Sequence, residues 1–253
     1  MHPFLDAKFP IAFAHRGGAS AAPENTLAAF ADAVALGYSH VETDVHATSD
    51  GVLVAFHDDD LSRTCATVGK IAELPWSTVS KARVSGSEPI PLLEDILGNW
   101  PSLRVNIDCK TDSALEPLIA AIRRTNSLDR VCLGSFSDSR LKKLRHAFGA
   151  NLCSSLGPLG VARMLSASVL HRSFARPKGA LAAQVPVAQL GLPIVTSRFI
   201  QTCHSLGIKV HVWTIDDPLE ITRLLDLGVD GIMTDDTRVL RDILSQRGEW
   251  LAT

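Results

Sequence analysis

Short apolar runs of β type alternate along this chain with segments whose apolar positions recur at helical spacing. The β-type runs cover 11–15, 40–45, 103–108, 131–135, 151–155, 181–185, 209–214 and 231–234. Amphipathic segments lie between them at 26–36, 113–125, 138–147, 197–206, 218–227 and 237–246, and several stop at a glycine: Gly37, Gly149, Gly207 and Gly228. Strands alternating with helices imply a parallel sheet, and eight is the strand count that closes a (β/α)8 TIM barrel. The stretch 158–193 is the least regular, because Gly, Pro and Ala punctuate it.

One interruption carries information. Ser49-Asp50-Gly51 is a hairpin signal between 40–48 and 52–57, and from Asp58 to about Pro91 the βα period disappears. This segment is expected to be a small insertion after the second strand, sitting over the barrel mouth. No internal repeat, low-complexity run or domain linker breaks the remainder, so the expectation is a single α/β domain over 1–253. A length of 253 residues suits one such barrel, and 46% hydrophobic residues suffice for its core.

Charge and cysteine usage narrow the picture. A net charge of −2 and the lack of a dense basic run argue against nucleic-acid binding and against stable membrane association. The five cysteines (65, 109, 132, 153, 203) are odd in number and mostly embedded in apolar runs, as expected of reduced thiols in a cytoplasmic protein. The first residues lack the basic and apolar regions of a secretory leader, and no stretch has the length of a membrane span.

Candidate chemistry collects at the ends of the apolar runs, where a parallel barrel places its active site. Strand alternation puts Glu42 and Asp44 on one face, and likewise Asp108 and Lys110. Three carboxylates, Glu42, Asp44 and Asp108, without a cysteine or paired-histidine ligand motif, make an oxygen-rich set suited to one Mg²⁺ or Ca²⁺ ion. Their alternative use is ion pairing with Arg or Lys at the rim. His15 and His57, next to Arg16 and Asp58, are the candidate proton carriers. Arg16 offers a planar fork and Lys110 a point charge for a phosphate; Lys110 could equally pair with Asp44 or Asp108. His46 lies on the Glu42 face with weaker claims, and His211 is a weak candidate for the mouth. Trp213 could pack against substrate carbon atoms. Asn25 or Thr26 should cap the first helix, and Asp235 and Asp236 the last.

The stretch AHRGGASAAPENT from Ala14, followed by Glu42-x-Asp44 and His57-Asp58, resembles the signature of the glycerophosphodiester phosphodiesterase family. Arg63-Thr64, the IPLLEDIL run from Ile90, NIDCK from Asn106, Ser135-Phe136, VWTIDD from Val212 and GVDGIMTDD from Gly228 extend the resemblance over nearly the whole chain. It implies a TIM barrel with His15 and His57 as acid and base, and with Arg16 and Lys110 on the phosphate. It also implies Glu42, Asp44 and Asp108 on one divalent cation, and Glu24 of the PENT motif at the rim, holding Arg16 or a ligand. The family usually carries Glu where this chain has Asp108. The implied reaction cleaves a glycerophosphodiester into glycerol 3-phosphate and an alcohol, through attack by the neighbouring glycerol hydroxyl. A lysophospholipase D reading ranks second, because the insertion offers only Leu61, Val68, Ile71, Leu74, Trp76 and Val79 as apolar surface for an acyl chain. A non-catalytic barrel that binds phosphate esters ranks third, since binding alone would not need two proton carriers.

Overall fold

The computed structural model describes residues 2–170, 175–176 and 179–250. Eight strands form its centre: β1 (Ile11–Ala14), β2 (His40–Ala47), β3 (Arg104–Cys109), β4 (Val131–Gly134), β5 (Cys153–Ser155), β6 (Ala180–Val185), β7 (Lys209–Val212) and β8 (Gly231–Thr234). Each pairs in parallel with the next, and β1 pairs with both β8 and β2, which closes the ring. Around it run α1 (Leu27–Ala35), α2 (Leu93–Asn99), α3 (Leu115–Arg124), α4 (Asp138–Phe148), α5 (Pro158–Leu170), α6 (Ser197–Ser205), α7 (Pro218–Leu227) and α8 (Thr237–Gln246). The fold is a TIM barrel. Among the described residues, no helix is long and apolar enough to cross a membrane.

All eight strands fall where the apolar runs predict, and six helices match the amphipathic segments closely. The other two, α2 and α5, have no counterpart in the sequence reading. Helix α2 has only seven residues, and α5 reads PLGVARMLSASVL, whose Pro, Gly and small residues look like loop punctuation. Pro158 occupies the first position of α5, where its missing N–H costs no helical bond.

Two apolar layers stabilise the ring. Outward residues such as Val41, Val45, Val105, Ile107 and Val210 pack against helix residues such as Phe30, Leu118, Phe199 and Leu224. Inside the ring lie Ile11, Phe13, Cys132, Cys153 and Met233, with Phe4 and Leu5 of the 3-10 turn Pro3–Leu5 sealing the N-terminal end. All five cysteines are buried and free, as the sequence suggests. The inward row of β2 reads His40, Glu42, Asp44 and His46 from floor to mouth, while Val41 and Val45 face the helices.

Beyond β2 the chain turns back as the expected hairpin, with Leu53–Ala55 antiparallel to Val45, His46 and Ala47. The following segment folds around its own cluster of Phe56, Leu61, Cys65, Ile71, Val79, Val84 and Ile90. Arg63, near its start, bonds to Glu24 and Asp58 beside the mouth.

Candidate active site

The turn after β1 is shaped by backbone constraints. Arg16 has φ 50° and is followed by Gly17 at φ 86° and Gly18 at φ 94°. A Cβ on Gly17 would lie 2.8 Å from the Ala29 Cβ, and one on Gly18 would lie 2.6 Å from Thr237 Cγ2. Only glycine fits both positions. The turn directs the Arg16 backbone N–H onto Glu42 Oε2 at 3.1 Å. The Arg16 Nη1 donates to Glu24 Oε1 at 3.0 Å, and its Nε lies 3.4 Å from Asp44 Oδ2.

Asp44 is the hub of the cluster. Its Oδ1 lies 2.7 Å from Lys110 Nζ, and its Oδ2 accepts from Asn25 Nδ2 at 3.1 Å. Asn25 is buried at φ 55° and accepts in turn from the Thr43 hydroxyl at 2.7 Å. Parallel pairing sets Asp44 directly beside Asp108, and Lys110 Nζ bridges them, 2.7 Å from Asp108 Oδ2. Asp108 Oδ1 is buried with no hydrogen-bond partner. Burial works to raise the Asp44 carboxyl, but Lys110 and Arg16 prevail and hold it below the usual range. Glu42 has less counter-charge: burial and the adjacent Asp44 push it up. Lys110 is held firmly charged, since Asp44 and Asp108 outweigh its own burial.

Each mouth histidine has its Nδ1 tied to a carboxylate. His15 Nδ1 lies 2.8 Å from Asp235 Oδ1, and its Nε2 is 3.8 Å from Glu42 Oε2. Burial would lower its pKa, but the Asp235 hydrogen bond and the charges of Glu42 and Asp235 raise it overall. His57 Nδ1 lies 2.5 Å from Asp58 Oδ1. Arg63 Nε donates to the other oxygen of Asp58, and its terminal nitrogens reach Glu24 at 2.6 and 3.0 Å. One ionic chain therefore runs from His57 through Asp58, Arg63 and Glu24 to Arg16. Burial would raise the Asp58 carboxyl, but the bonds from Arg63 and His57 bring it down to about 2.

These groups open into a cleft of about 380 Å³ at the C-terminal end of the barrel. His15, Arg16, Glu42, Asp44, His57, Asp108, Lys110 and Trp213 all line it, so the sequence motifs converge in space. The expected pairing of Lys110 with Asp44 and Asp108 is present. Glu24 does not line the cleft; its carboxylate is taken up by Arg16 and Arg63, the first of its two expected uses. Trp213 meets Phe136 edge to face, with centroids 5.9 Å apart. His211 is fully buried below the mouth, so the weak expectation for it fails.

Three participants were misjudged or missed from sequence. Thr26 caps α1, accepting from Ala29 N at 3.2 Å, which frees Asn25 to hold Asp44. Asp236 caps α8, which frees Asp235 to hold His15. His46 Nε2 donates to the His57 carbonyl at 3.0 Å, fixing the chain where His57 enters the site. The available signal was adjacency: each of the first two is one residue from a cap, and a cap needs only one of them.

The fold and the cluster define a class, a TIM barrel with imidazoles, carboxylates and cationic side chains gathered at one mouth. Residues 15–239 match the model of the glycerophosphoryl diester phosphodiesterase family, and the chain belongs to that family. It is 40% identical over 244 residues to the probable glycerophosphodiester phosphodiesterase 2 of Mycobacterium tuberculosis, covering 95% of this chain and 92% of that one. A more distant relative, the human lysophospholipase D GDPD1, is 25% identical over 268 residues, 91% of this chain and 84% of that protein. The fold is shared with an Oleispira antarctica phosphodiesterase solved with the product sn-glycerol-3-phosphate, with a TM-score of 0.76, 23% identity and coverage of 94% and 97%.

Proposed function

We propose that the protein is a metal-dependent glycerophosphodiester phosphodiesterase that hydrolyses its substrate to glycerol 3-phosphate and an alcohol. The observation that carries this reading is the matched pair His15–Asp235 and His57–Asp58 flanking a cleft that also holds Arg16 and Lys110. In each pair the carboxylate occupies Nδ1, so Nε2 is the nitrogen left to exchange protons with a substrate. A phosphate-binding barrel without catalysis would have no use for two oriented imidazoles.

The donor set favours one Mg²⁺ or Ca²⁺ ion on Glu42, Asp44 and Asp108. All three offer oxygen, Asp108 Oδ1 lacks any partner, and burial with the adjacent Asp44 charge pushes the Glu42 carboxyl up, a penalty that a bound cation would relieve. Among the described residues no three His, Cys, Asp or Glu side chains form a ready-made cage, and Lys110 lies between Asp44 and Asp108. Such an ion would neutralise phosphate charge and acidify the attacking hydroxyl. Arg16 and Lys110 hold the non-bridging phosphate oxygens as charge develops. One histidine takes the proton from the glycerol hydroxyl next to the phosphate as its oxygen attacks phosphorus, and the other protonates the departing alcohol. Water then opens the cyclic phosphate with the two roles exchanged.

The test is incubation of purified protein with glycerophosphocholine, with and without EDTA, assaying glycerol 3-phosphate and choline. Release of both that stops with chelator and returns with Mg²⁺ or Ca²⁺ is the expected result, and Glu42→Ala should abolish it. Turnover that survives EDTA intact would remove the metal from the scheme.

A further inference from the structure

Away from the charged groups the cleft is lined mostly by apolar side chains, Leu156, Val161, Leu165 and Ile194 among them. One place at its base is polar and uncharged. Gly134 at the end of β4, Ser155 at the end of β5 and Gln184 near the end of β6 meet there, beside Asn106 of β3. Parallel pairing sets Gly134 directly against Asp108, so the spot lies one strand spacing, about 4.8 Å, from the carboxylate cluster.

Hydrogen bonding fixes which atoms face this spot. Gln184 Nε2 donates to Asn106 Oδ1 at 2.8 Å and lies 3.4 Å from His211 Nδ1. Burial takes His211 down to about 4, so its ring is neutral and Nδ1 can accept. With the amide nitrogen spent on these two partners, Gln184 presents Oε1 toward Gly134. A Cβ on Gly134 would stand 3.5 Å from that Oε1, 3.5 Å from Ser155 Oγ and 3.8 Å from the Ile107 carbonyl. Among the described residues, neither Gln184 Oε1 nor Ser155 Oγ has a hydrogen-bond partner. The backbone does not require glycine here: Gly134 has no left-handed φ, and a methyl would make only ordinary contacts. A glycine inside a strand weakens it and marks a place where another molecule comes close. Its effect is to keep open a notch bordered by one acceptor and by one hydroxyl that can donate or accept. Those are the partners a hydroxyl needs. A quaternary ammonium head group has no N–H or O–H to offer them, and a phosphate finds its cations, Arg16 and Lys110, elsewhere in the cleft.

We infer that this notch holds the terminal hydroxyl of the glycerol unit, the one farthest from phosphorus, and that Gly134, Ser155 and Gln184 set a preference for glycerol over simpler diols. The inference rests on the hydrolytic reading above and deepens it. With the phosphate on Arg16 and Lys110, the middle hydroxyl attacks phosphorus. The terminal hydroxyl gives its hydrogen to Gln184 Oε1 and accepts from Ser155 Oγ. An ester on the terminal oxygen removes that hydrogen, and one on the middle oxygen removes the nucleophile, so the substrate that fits carries no acyl group. The class of reaction that supplies it is hydrolysis of the carboxylic esters of an acylated precursor.

Choline release compares two substrates by kcat/KM: glycerophosphocholine and the phosphocholine ester of propane-1,2-diol, which keeps the attacking hydroxyl and lacks only the terminal one. Loss of a hydroxyl from a site built to bond it should lower efficiency by at least about tenfold. Gly134→Ala fills the notch at ordinary contact distances; it should lower efficiency on glycerophosphocholine and bring the two substrates to within about threefold of each other. Ser155→Ala removes one of the two partners and should shrink the ratio by a smaller factor. A wild-type ratio near one, or a ratio that Gly134→Ala leaves unchanged, overturns the inference. So does an effect of Gly134→Ala seen only with glycerophosphoglycerol, followed by glycerol 3-phosphate release, which would put the notch on the leaving alcohol. In each of these cases turnover of glycerophosphocholine leaves the hydrolytic reading standing. Choline release from neither substrate, in the presence of metal, overturns both.

Discussion

Floor and mouth of this barrel use the same residue types for opposite ends, and β2 carries both on a single face. His40 stands at the floor, and Asp44 at the mouth about 13 Å farther along the strand. At the floor His40 Nε2 donates to the Phe4 carbonyl at 2.9 Å, Nδ1 lies 2.9 Å from the Ser39 hydroxyl, and Phe4 and Phe13 meet the ring edge to face. Burial takes it down to about 3, and takes His211 down to about 4. At the mouth His15 is also largely buried, yet carboxylates on both sides raise it. Counter-charge, rather than depth, separates a packing imidazole from one able to carry a proton.

The largest effect that would break this contrast is on turnover. His15→Ala and His57→Ala should each lower kcat by at least about 10²–10⁴-fold while leaving the unfolding transition nearly in place. His40→Ala should do the reverse, costing about 2–5 kcal/mol of stability by opening a cavity and stripping the Phe4 carbonyl of its donor. Denaturant melts and steady-state rates on the same three proteins decide the matter. A His57→Ala enzyme with near-normal turnover sinks the two-histidine scheme.

A smaller effect concerns the carboxylate behind His15. Asp235→Asn keeps the shape of the side chain but removes a charge that favours the imidazolium. The pH–rate limb governed by His15 should therefore move to lower pH, whichever protonation state the reaction needs. An unmoved limb, or one displaced upward, would show that Asp235 does not set the proton affinity of His15.

The smallest effect lies at the floor, where an acid does purely structural work. Asp230 accepts from Lys209 Nζ and Val210 N, both at 2.8 Å, and from His204 Nε2 at 2.6 Å. Burial opposes its ionisation, but these three partners hold its carboxyl below the usual range. A depressed carboxyl pKa stabilises the folded state above the unfolded-state pKa, and the gain is lost as pH falls through the folded value. Asp230→Asn should thus cost about 1–3 kcal/mol near neutrality, and the gap to wild type should narrow in acid with turnover at pH 7 barely changed. A gap independent of pH would rule out ion pairing as its source.

Legibility in the sequence followed how local each cause was. Short β-type runs marked every strand because the ring buries most of their positions, and His15, Arg16, Glu42, Asp44 and His57 were readable as strand-end motifs. Helix α5 was not, since its small residues suit close packing against α6 yet look like a loop on paper. Asn25 and Asp235 were hidden behind neighbours that already explained their motifs as caps. The apolar side of the cleft was hidden for a different reason: Leu156 and Ile194 lie in connecting segments and Leu165 on α5, and no sequence window contains them together.

The two glycines after Arg16 have a consequence for anyone wishing to transplant this chemistry. Gly17 is pressed against Ala29 of the first helix and Gly18 against Thr237 of the last, so the turn that carries His15 and Arg16 is cast between two helices. Moving AHRGG into another barrel would carry the functional groups without their mould. A successful graft has to bring a small residue at the Ala29 site and a matching neighbour at the Thr237 site, and enlarging either in the parent would displace His15 as surely as mutating the turn itself.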